Sequence, residues 1–265
     1  MAITAPRVLM RNAWARKRAR DLWTACYQLM RGKRFVARRM GYRLLFDADS
    51  VIDKYLLAYG VYEEKQQRLL FDAARAAVKP GEPAVFLDVG AHAGFYALAA
   101  LSSGLFGRIV AVEADPRNAH QLYANLFLNG LSDRIAVVEA AASAEPGEVT
   151  FNVAPSRNRS VSRILADGET SAGTAHTVSA VRLDDVEPLR GGLIVAKIDV
   201  EGHEADVLKG MTRLLAENRC ILQVEVFGPA LAAFTGTMTG LGYSKFAEVD
   251  NDRFFRNVQS VEAVS

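Results

Sequence analysis

Apolar and polar positions alternate in a regular order from residue 84 to residue 258. Short apolar runs, which predict strands, are each followed by a longer stretch with a helical repeat of apolar residues. Predicted strands cover residues 84–88, 108–113, 134–139, 193–199 and 220–227, and predicted helices cover residues 95–102, 116–129, 204–217 and 229–241. This repetition indicates an α/β fold with a doubly wound, mostly parallel sheet. A predicted hairpin at residues 243–248 and 253–258 completes seven strands, with an antiparallel pair at the end.

The segment before residue 84 has a different pattern. Residues 41–46 predict a short strand, and residues 51–59 and 63–78 predict helices. Lys79-Pro80-Gly81 ends the second helix and is the best candidate boundary with the main domain. We therefore expect a basic helical extension at residues 1–43, a helical accessory segment at residues 44–82 and a main domain at residues 83–260.

The composition is that of a globular protein, with 265 residues, 50% of them hydrophobic and 23% charged, and a formal net charge of +2. The charge is unevenly distributed, because residues 1–43 contain 12 Lys or Arg and one acid, Asp21. A stripe of Trp23, Tyr27 and Met30 favours packing of this extension onto the main domain. Contact with an anionic membrane surface and a cleaved organellar leader are the alternatives. Nucleic-acid binding has no support beyond the charge.

The sequence also indicates a cellular compartment. No apolar run reaches the roughly 18 residues needed to span a membrane. The two cysteines, Cys26 and Cys220, lie far apart and form neither a disulfide framework nor a zinc motif. We therefore expect a protein of the reducing cytoplasm, peripheral to a membrane if the basic extension binds lipid.

One stretch, VFLDVGAHAGFY at residues 85–96, is placed to hold a ligand. Asp88 ends a strand, and Gly90 and Gly94 allow a tight turn that places backbone N–H groups beside a small molecule. The stretch lacks the third glycine of the dinucleotide fingerprint and the Lys-Ser/Thr of a P-loop, so alone it is also compatible with a turn that binds nothing. Glu113, at the end of the second strand, is placed to accept hydrogen bonds from ribose hydroxyls.

A second stretch, KIDVEGHE at residues 197–204, follows the fourth strand. If the strand continues that far, its alternation puts Lys197, Asp199 and Glu201 on one side, and Glu225 of the next strand points toward the same region. Ionisable groups at the end of an apolar strand are costly unless paired or used, so this is either a catalytic region or a structural Lys–acid network. Before it, a polar insertion at residues 152–177 is either a binding loop or a mobile surface loop.

The order of four segments, DVGAHAGFY, VEADPRN, KIDVEGHEADVLKG and LQVEVF, resembles the FkbM-type family of class I S-adenosylmethionine-dependent methyltransferases. The resemblance covers about residues 63–258, and KIDVEG followed by VLKG is its specific part. It implies a Rossmann-like, seven-stranded class I methyltransferase sheet with S-adenosyl-L-methionine as the cofactor. It also implies O-methylation of a hydroxyl on a small molecule or saccharide. The basic extension has no counterpart in it.

The resemblance assigns site residues to two groups. The implied cofactor-binding residues are Asp88, Gly90, Ala91, His92, Gly94, Glu113, Asp115, Asn118 and Ser143. The implied catalytic residues are Asp199, Glu201 and His203, one of which would remove the proton of an acceptor hydroxyl. Imidazole has the most suitable intrinsic pKa of the three. A divalent metal at these residues and Glu225 is not favoured, because Lys197 supplies competing positive charge.

Two other functions stay open at the level of sequence. One is an S-adenosylmethionine-binding module without transfer activity, and the other is a nucleotide-sugar or NAD-binding enzyme. The acids around Asp199 favour an enzyme, because a pure binding module has no need of them. In the insertion, Arg157, Asn158 and Arg159 suit a hydroxyl-rich or anionic acceptor.

Overall fold

A computed structural model describes residues 32–154, 162–165 and 174–257 of the chain. The strands are β1 (Arg34–Arg39), β2 (Tyr42–Asp47), β3 (Ala84–Val89), β4 (Arg108–Glu113), β5 (Ala136–Glu139), β6 (Ala141–Ala142), β7 (Gly147–Val153), β8 (Arg163–Ile164), β9 (Thr174–Val181), β10 (Leu193–Ile198), β11 (Arg219–Glu225), β12 (Ser244–Val249) and β13 (Asp252–Arg256). The helices are α1 (Val51–Tyr59), α2 (Glu64–Ala77), α3 (Phe95–Ser103), α4 (Pro116–Leu128), α5 (Leu183–Val186), α6 (Glu204–Gly210), α7 (Thr212–Glu217) and α8 (Ala230–Gly240). Most of the basic extension lies outside the described residues, so its helix, its membrane contact and the three-unit division stay predictions.

The described chain begins with a β-hairpin, which starts inside the segment predicted to be helical. β1 and β2 pair antiparallel, and the rings of Phe35 and Phe46 stack with centroids 5.9 Å apart. The two linking residues, Met40 and Gly41, both have positive φ, as the tight turn of a two-residue hairpin loop requires. Asn125 of α4 accepts a hydrogen bond from the Leu45 backbone N–H at 2.7 Å, which fastens the hairpin to the main domain.

Helices α1 and α2 connect the hairpin to the main sheet. Ser50 caps α1, because its hydroxyl accepts a hydrogen bond from the Asp53 backbone N–H at 3.2 Å. Gly60 ends α1 in the left-handed conformation, and the short turn that follows carries Tyr62 and Glu63. Glu63 also has a positive φ of 47°. This turn places both side chains beside the carboxyl end of the main sheet.

The main sheet has seven strands in the order β12-β13-β11-β10-β3-β4-β5. Neighbouring strands from β11 to β5 are parallel, and β13 pairs antiparallel with both β11 and β12. Every residue of β3 and β10 is buried, because helices cover both faces of the sheet. The predicted fold, a seven-stranded and mostly parallel class I methyltransferase sheet with an antiparallel last strand, is confirmed.

The order of strands reverses at β3. The chain passes from β3 outward to β4 and β5, then returns to place β10 on the other side of β3. Asp88 and Lys197 are paired in register at the carboxyl ends of β3 and β10. Open α/β sheets bind their ligands in the crevice at such a reversal.

A second, smaller sheet with the order β6-β9-β7-β8 flanks the polar insertion, most of which lies outside the described residues. Residues 147–153 form β7 and residues 174–181 form β9, a strand that the sequence pattern did not predict. Most of the β9 side chains are exposed, so the strand lacks the apolar alternation that marks a half-buried strand. Arg157, Asn158 and Arg159 lie outside the described residues. Within the described ranges, no helix has the length and apolar character of a membrane span.

Candidate active site

A cleft opens where the carboxyl ends of β3, β4 and β10 meet. Its volume is about 790 Å³, including its open mouth. The sheet contributes loop residues from three strand ends, and the small sheet covers the cleft from above with Phe151, Ser162 and Ile164. The predicted site residues that line it are Asp88, Gly90, Ala91, His92, Glu113, Asn118, Asp199 and Glu201.

The floor of the cleft depends on a close approach between two loops. The backbone N–H groups of Gly90 and Ala91 donate hydrogen bonds to the Val112 carbonyl at 2.9 and 3.0 Å. Gly90 has a φ of +78°, and a Cβ at this position would lie 1.8 Å from the backbone oxygen of Asp199. Glycine at residue 90 therefore lets the loop after β3 lie directly against the loop after β10.

Asp88 presents a carboxylate oxygen without a protein partner to this cleft. The residue is 1% exposed, and its Oδ2 accepts a hydrogen bond from the Ala97 backbone N–H at 2.8 Å. Its Oδ1 is buried and has no hydrogen-bond partner among the described residues. Burial raises the Asp88 pKa to about 6, although the nearby Lys197 ammonium lowers it. A ligand that donates a hydrogen bond here would satisfy a buried acceptor.

Glu113 is held by backbone groups at the end of β4. One carboxylate oxygen accepts a hydrogen bond from the His92 N–H at 2.6 Å, and the other accepts from the Asp115 N–H at 2.8 Å. Burial raises the Glu113 pKa to about 7 despite these two bonds. The neighbouring Asn118 donates its side-chain N–H to Glu113 at 3.5 Å, whereas its buried Oδ1 has no partner in the described part of the chain.

Lys197 interacts with several acidic side chains at the other side of the cleft. Its Nζ forms an ion pair with Asp199 Oδ2 at 2.8 Å and lies 5.3 Å from the centroid of the Tyr96 ring. Burial by itself lowers the Lys197 pKa, but the carboxylates of Asp199, Glu63 and Asp88 raise it above its ordinary range. Glu225 hydrogen-bonds to Asp199, and burial together with the Asp199 charge raises the Glu225 pKa.

Glu201 is the carboxylate of this region that is left without a fixed partner. It lines the cleft with a φ of 53°, and its side chain has neither a hydrogen bond nor an ion pair within the described residues. Burial is the main cause that raises the Glu201 pKa to about 7, and the charges of Asp199 and Glu204 add to it. Such a group gains and loses a proton near neutral pH, as a general base requires.

The remaining predicted site residues do not line the cleft. Gly94 packs against Leu122, whose Cδ1 would lie 2.2 Å from a Cβ at residue 94. Asp115 is fully buried, where it caps α4 and accepts a hydrogen bond from the Ser162 hydroxyl at 3.1 Å. Its pKa is lowered, because hydrogen bonds from Arg117 outweigh the effect of burial.

His203 and Ser143 pair with each other away from the cleft lining. His203 Nε2 and Ser143 Oγ are 3.1 Å apart, and His203 Nδ1 lies 3.5 Å from Asp206 Oδ2. Burial lowers the His203 pKa, which the Asp206 charge only partly opposes. The structure thus places the imidazole at the start of α6, where it links this helix to β6.

Sequence reasoning missed two tyrosines that help to form the site. The Tyr96 hydroxyl donates to Glu63 Oε2 at 2.7 Å and accepts a hydrogen bond from Gln223 Nε2 at 2.9 Å. Tyr62 comes from the turn before α2 and lines the cleft beside Phe95, with ring centroids 5.9 Å apart. Tyr96 lies within the glycine stretch and could have been found there, whereas Tyr62 carries no local signal.

The described residues contain no group of three or more His, Cys, Asp or Glu side chains arranged to hold a metal ion. The fold and the cleft instead define a class of enzyme. A seven-stranded sheet of this order and an acidic cleft at the reversal of strand order are those of a class I methyltransferase.

The sequence profile of the methyltransferase FkbM domain matches residues 88–251, which is more than half of the chain. The chain belongs to the FkbM methyltransferase family. It is an S-adenosylmethionine-dependent methyltransferase, and the enzyme class implied by the sequence resemblance is confirmed.

The chain is similar to three further proteins. The hexuronic acid methyltransferase AglP of Haloferax volcanii is 27% identical over 188 residues, which are 68% of this chain and 69% of the relative. The human methyltransferase 10 domain containing protein is 12% identical with a TM-score of 0.48, covering 92% of this chain and 97% of its own. A methyltransferase from Geobacter sulfurreducens is 17% identical with a TM-score of 0.45, covering 74% of this chain and 79% of its own. The family assignment rests on the profile match and not on these structural likenesses.

Proposed function

We propose that this protein transfers a methyl group from S-adenosylmethionine to a hydroxyl oxygen of a small molecule or saccharide. The observation that carries the proposal is the position of Glu201 in the same cleft as the Gly90 loop. Its carboxylate has no hydrogen-bond or ion-pair partner among the described residues, and its pKa is raised to about 7. A hydroxyl acceptor must lose a proton, and this carboxylate is available to take it. The hexuronic acid relative supports a saccharide as the acceptor.

The residues of the cleft fit the cofactor. Asp88 Oδ1 and Asn118 Oδ1 are buried acceptors without partners in the described chain, and an amino acid ammonium and an adenosine group supply donors of the kind they lack. Glu113 keeps its carboxylate at the end of β4, where ribose hydroxyls could donate to it. Gly90 and Ala91 line the same cleft, so a bound ligand would also contact the loop after β3.

Bound S-adenosylmethionine supplies a methyl group already activated on a sulfonium. The protein therefore has to position the acceptor oxygen, exclude water and accept one proton. Lys197 pairs with Asp199 at 2.8 Å, and Glu225 also interacts with it, so Asp199 is a held acceptor that can orient the hydroxyl. Glu201 then accepts the hydroxyl proton. Phe151 and Ile164 contribute apolar side chains to the lining of the cleft.

The cofactor step is tested by calorimetry with S-adenosylmethionine, S-adenosylhomocysteine and NADH. We expect both adenosyl ligands to bind and NADH not to bind. A dissociation constant for S-adenosylmethionine above about 1 mM, which is a binding free energy weaker than about −4 kcal/mol, would contradict the proposal.

The base is tested with Glu201→Gln and with labelled methyl transfer. We expect kcat to fall about 100-fold or more, since a general base typically contributes that much, while cofactor affinity changes little. Glu201 must be deprotonated to act, so wild-type kcat should fall as the pH drops below about 7, and the variant should lack this dependence. Glu148→Gln removes an exposed charge on β7 that does not line the cleft, and is the matched control. Unchanged turnover in Glu201→Gln would remove the assignment.

A further inference from the structure

A second cavity adjoins the cleft on the side of α2. This outer groove has a volume of about 1370 Å³ including its open mouth. Tyr62 lines both cavities, and Glu225 of the groove hydrogen-bonds to Asp199 of the cleft. The outer groove is lined by Tyr55, Tyr62, Glu63, Glu64, Lys65, Gln66, Arg68, Glu225, Asp250, Asn251 and Asp252. A molecule in the groove therefore reaches the acids at the proposed site of methyl transfer.

The lining of the outer groove is negatively charged. It includes five carboxyl side chains and two basic residues, and Lys65, Arg68, Glu64 and Asp250 are all exposed. Even with Glu225 neutral because its pKa is raised, the acids outnumber the bases. Arg68 is also 3.7 Å from Asp72 on the next turn of α2, which offsets part of its charge. A bound carboxylate would thus meet like charges, and a bound ammonium would meet opposite ones.

Asp252 has acceptor capacity that the protein does not use. It is 5% exposed, lines the groove and accepts a hydrogen bond from Gln223 Nε2 on its Oδ1 at 2.8 Å. Its Oδ2 accepts no hydrogen bond from the described residues. Burial raises the Asp252 pKa to about 6, and the charges of Glu63 and Asp199 add to this effect. A donor in the groove would satisfy this oxygen and relieve the repulsion among the carboxylates.

Aromatic faces lie beside these acids. The rings of Tyr55 and Tyr62 meet edge to face with centroids 6.4 Å apart, and Tyr55 is 41% exposed. Tyrosine offers an apolar face together with a polar edge, which suits a ring that carries C–H groups on one side and hydroxyls around its rim. Tyr62 brings this surface to the boundary between groove and cleft.

We propose that the outer groove is the acceptor subsite and that it selects an amine-bearing polyol, such as an amino sugar, over a hexuronate. The proposal rests on the proposed function, because it assigns the acceptor of that same reaction. The AglP relative is a hexuronic acid methyltransferase, so this chain and that relative would differ in the charge of their acceptors.

The test uses three matched probes: methyl glucosaminide, methyl glucoside and methyl glucuronide. Each is titrated into the full-length protein saturated with S-adenosylhomocysteine, and binding is followed by ligand-observed NMR. We expect the amine to bind about tenfold tighter than the neutral glycoside and the glucuronide to bind about tenfold weaker, each step corresponding to about 1.4 kcal/mol. The preference should shrink when salt is raised from about 0.05 to 0.5 M, because exposed charges are then screened.

A double variant tests the source of the preference. Glu64→Gln with Asp250→Asn removes two charges at exposed positions of the groove and leaves the buried acids in place. We expect the ratio of amine to glucuronide affinity to fall several-fold. The matched control is Asp133→Asn, which removes an exposed charge before β5, on the opposite rim of the sheet.

The outcomes separate the two proposals. If S-adenosylhomocysteine does not bind, the proposed function fails at its first step. If it binds but the glucuronide binds as tightly as the amine, or if none of the three glycosides binds, the acceptor proposal is overturned while the donor assignment stands. An equal preference in the double variant and the wild type would also overturn it, because the groove charges would then not be its cause.

Discussion

Replacing Gly90 by alanine should disturb the cleft more than any comparable change on the surface. The residue has a φ of +78°, and an alanine Cβ would lie 1.8 Å from the Asp199 carbonyl oxygen. Real Cβ atoms essentially never come within 3.0 Å of another heavy atom, so the two loops must separate by about 1.2 Å. This movement would also strain the hydrogen bond of 2.9 Å from the Asp199 N–H to the Val89 carbonyl.

The expected loss of stability has two parts. Alanine in the left-handed region costs about 1–2 kcal/mol. Forcing extra volume into a packed site costs about 1–3 kcal/mol more. Gly90→Ala should therefore lower the free energy of unfolding by about 2–5 kcal/mol. Because Asp199 moves with its backbone, methyl transfer should fall about 100-fold even where the protein stays folded.

Gly81→Ala is the matched control for this change. Gly81 has a φ of +76°, and a Cβ there would have no heavy atom within 4 Å, so only the backbone cost applies. Urea unfolding of both variants isolates the cost of the collision, and labelled methyl transfer measures the loss of function. If Gly90→Ala is no less stable than Gly81→Ala and equally active, the close approach of the two loops is refuted.

Three further predictions concern groups around the sheet. Glu113 has a pKa raised from 4.5 to about 7 by burial, so the stability it contributes is full below about pH 4.5 and lost as the pH rises through about 7. In the cofactor-free protein, Glu113→Gln should remove up to about 3 kcal/mol of this pH-dependent decline in the free energy of unfolding, as measured with urea. The same pH dependence in the variant and the wild type would contradict the prediction. Cys220 is fully buried, and burial raises its pKa to about 12. In a Cys26→Ser background this thiol should therefore react with a thiol reagent only when the protein unfolds. Rapid labelling of the native protein would argue against this. Asp184 accepts hydrogen bonds from the Arg213 and Leu214 N–H groups at 3.0 and 2.9 Å, so Asp184→Ala should cost about 1–2 kcal/mol of unfolding free energy, whereas Asp185→Ala, on the next residue, should cost little.

The main sheet and the position of the cleft follow from local patterns in the sequence. Short apolar runs bounded by turn residues, such as β3 and β10, predict buried parallel strands, and the turns after parallel strands open on one rim. Asp88 and Glu113 follow directly from this rule, because each ends a strand beside the reversal. Local spacing was sufficient for these residues, since their position depends on their own strand.

Other features depended on contacts between distant parts of the chain. Whether Asp199, Glu201 or His203 faces the cleft is decided by backbone angles in one loop, and the positive φ of Glu201 turns the chain so that His203 meets Ser143 instead. Tyr62 and Glu63 reach the site from a turn more than a hundred residues before Lys197. The β9 strand forms because β6 and β7 supply partners, and not because its own residues are apolar. Sequence periodicity reports which face of an element is buried, whereas tertiary packing decides which side chains meet, because it fixes loop angles and strand partners that no local pattern contains.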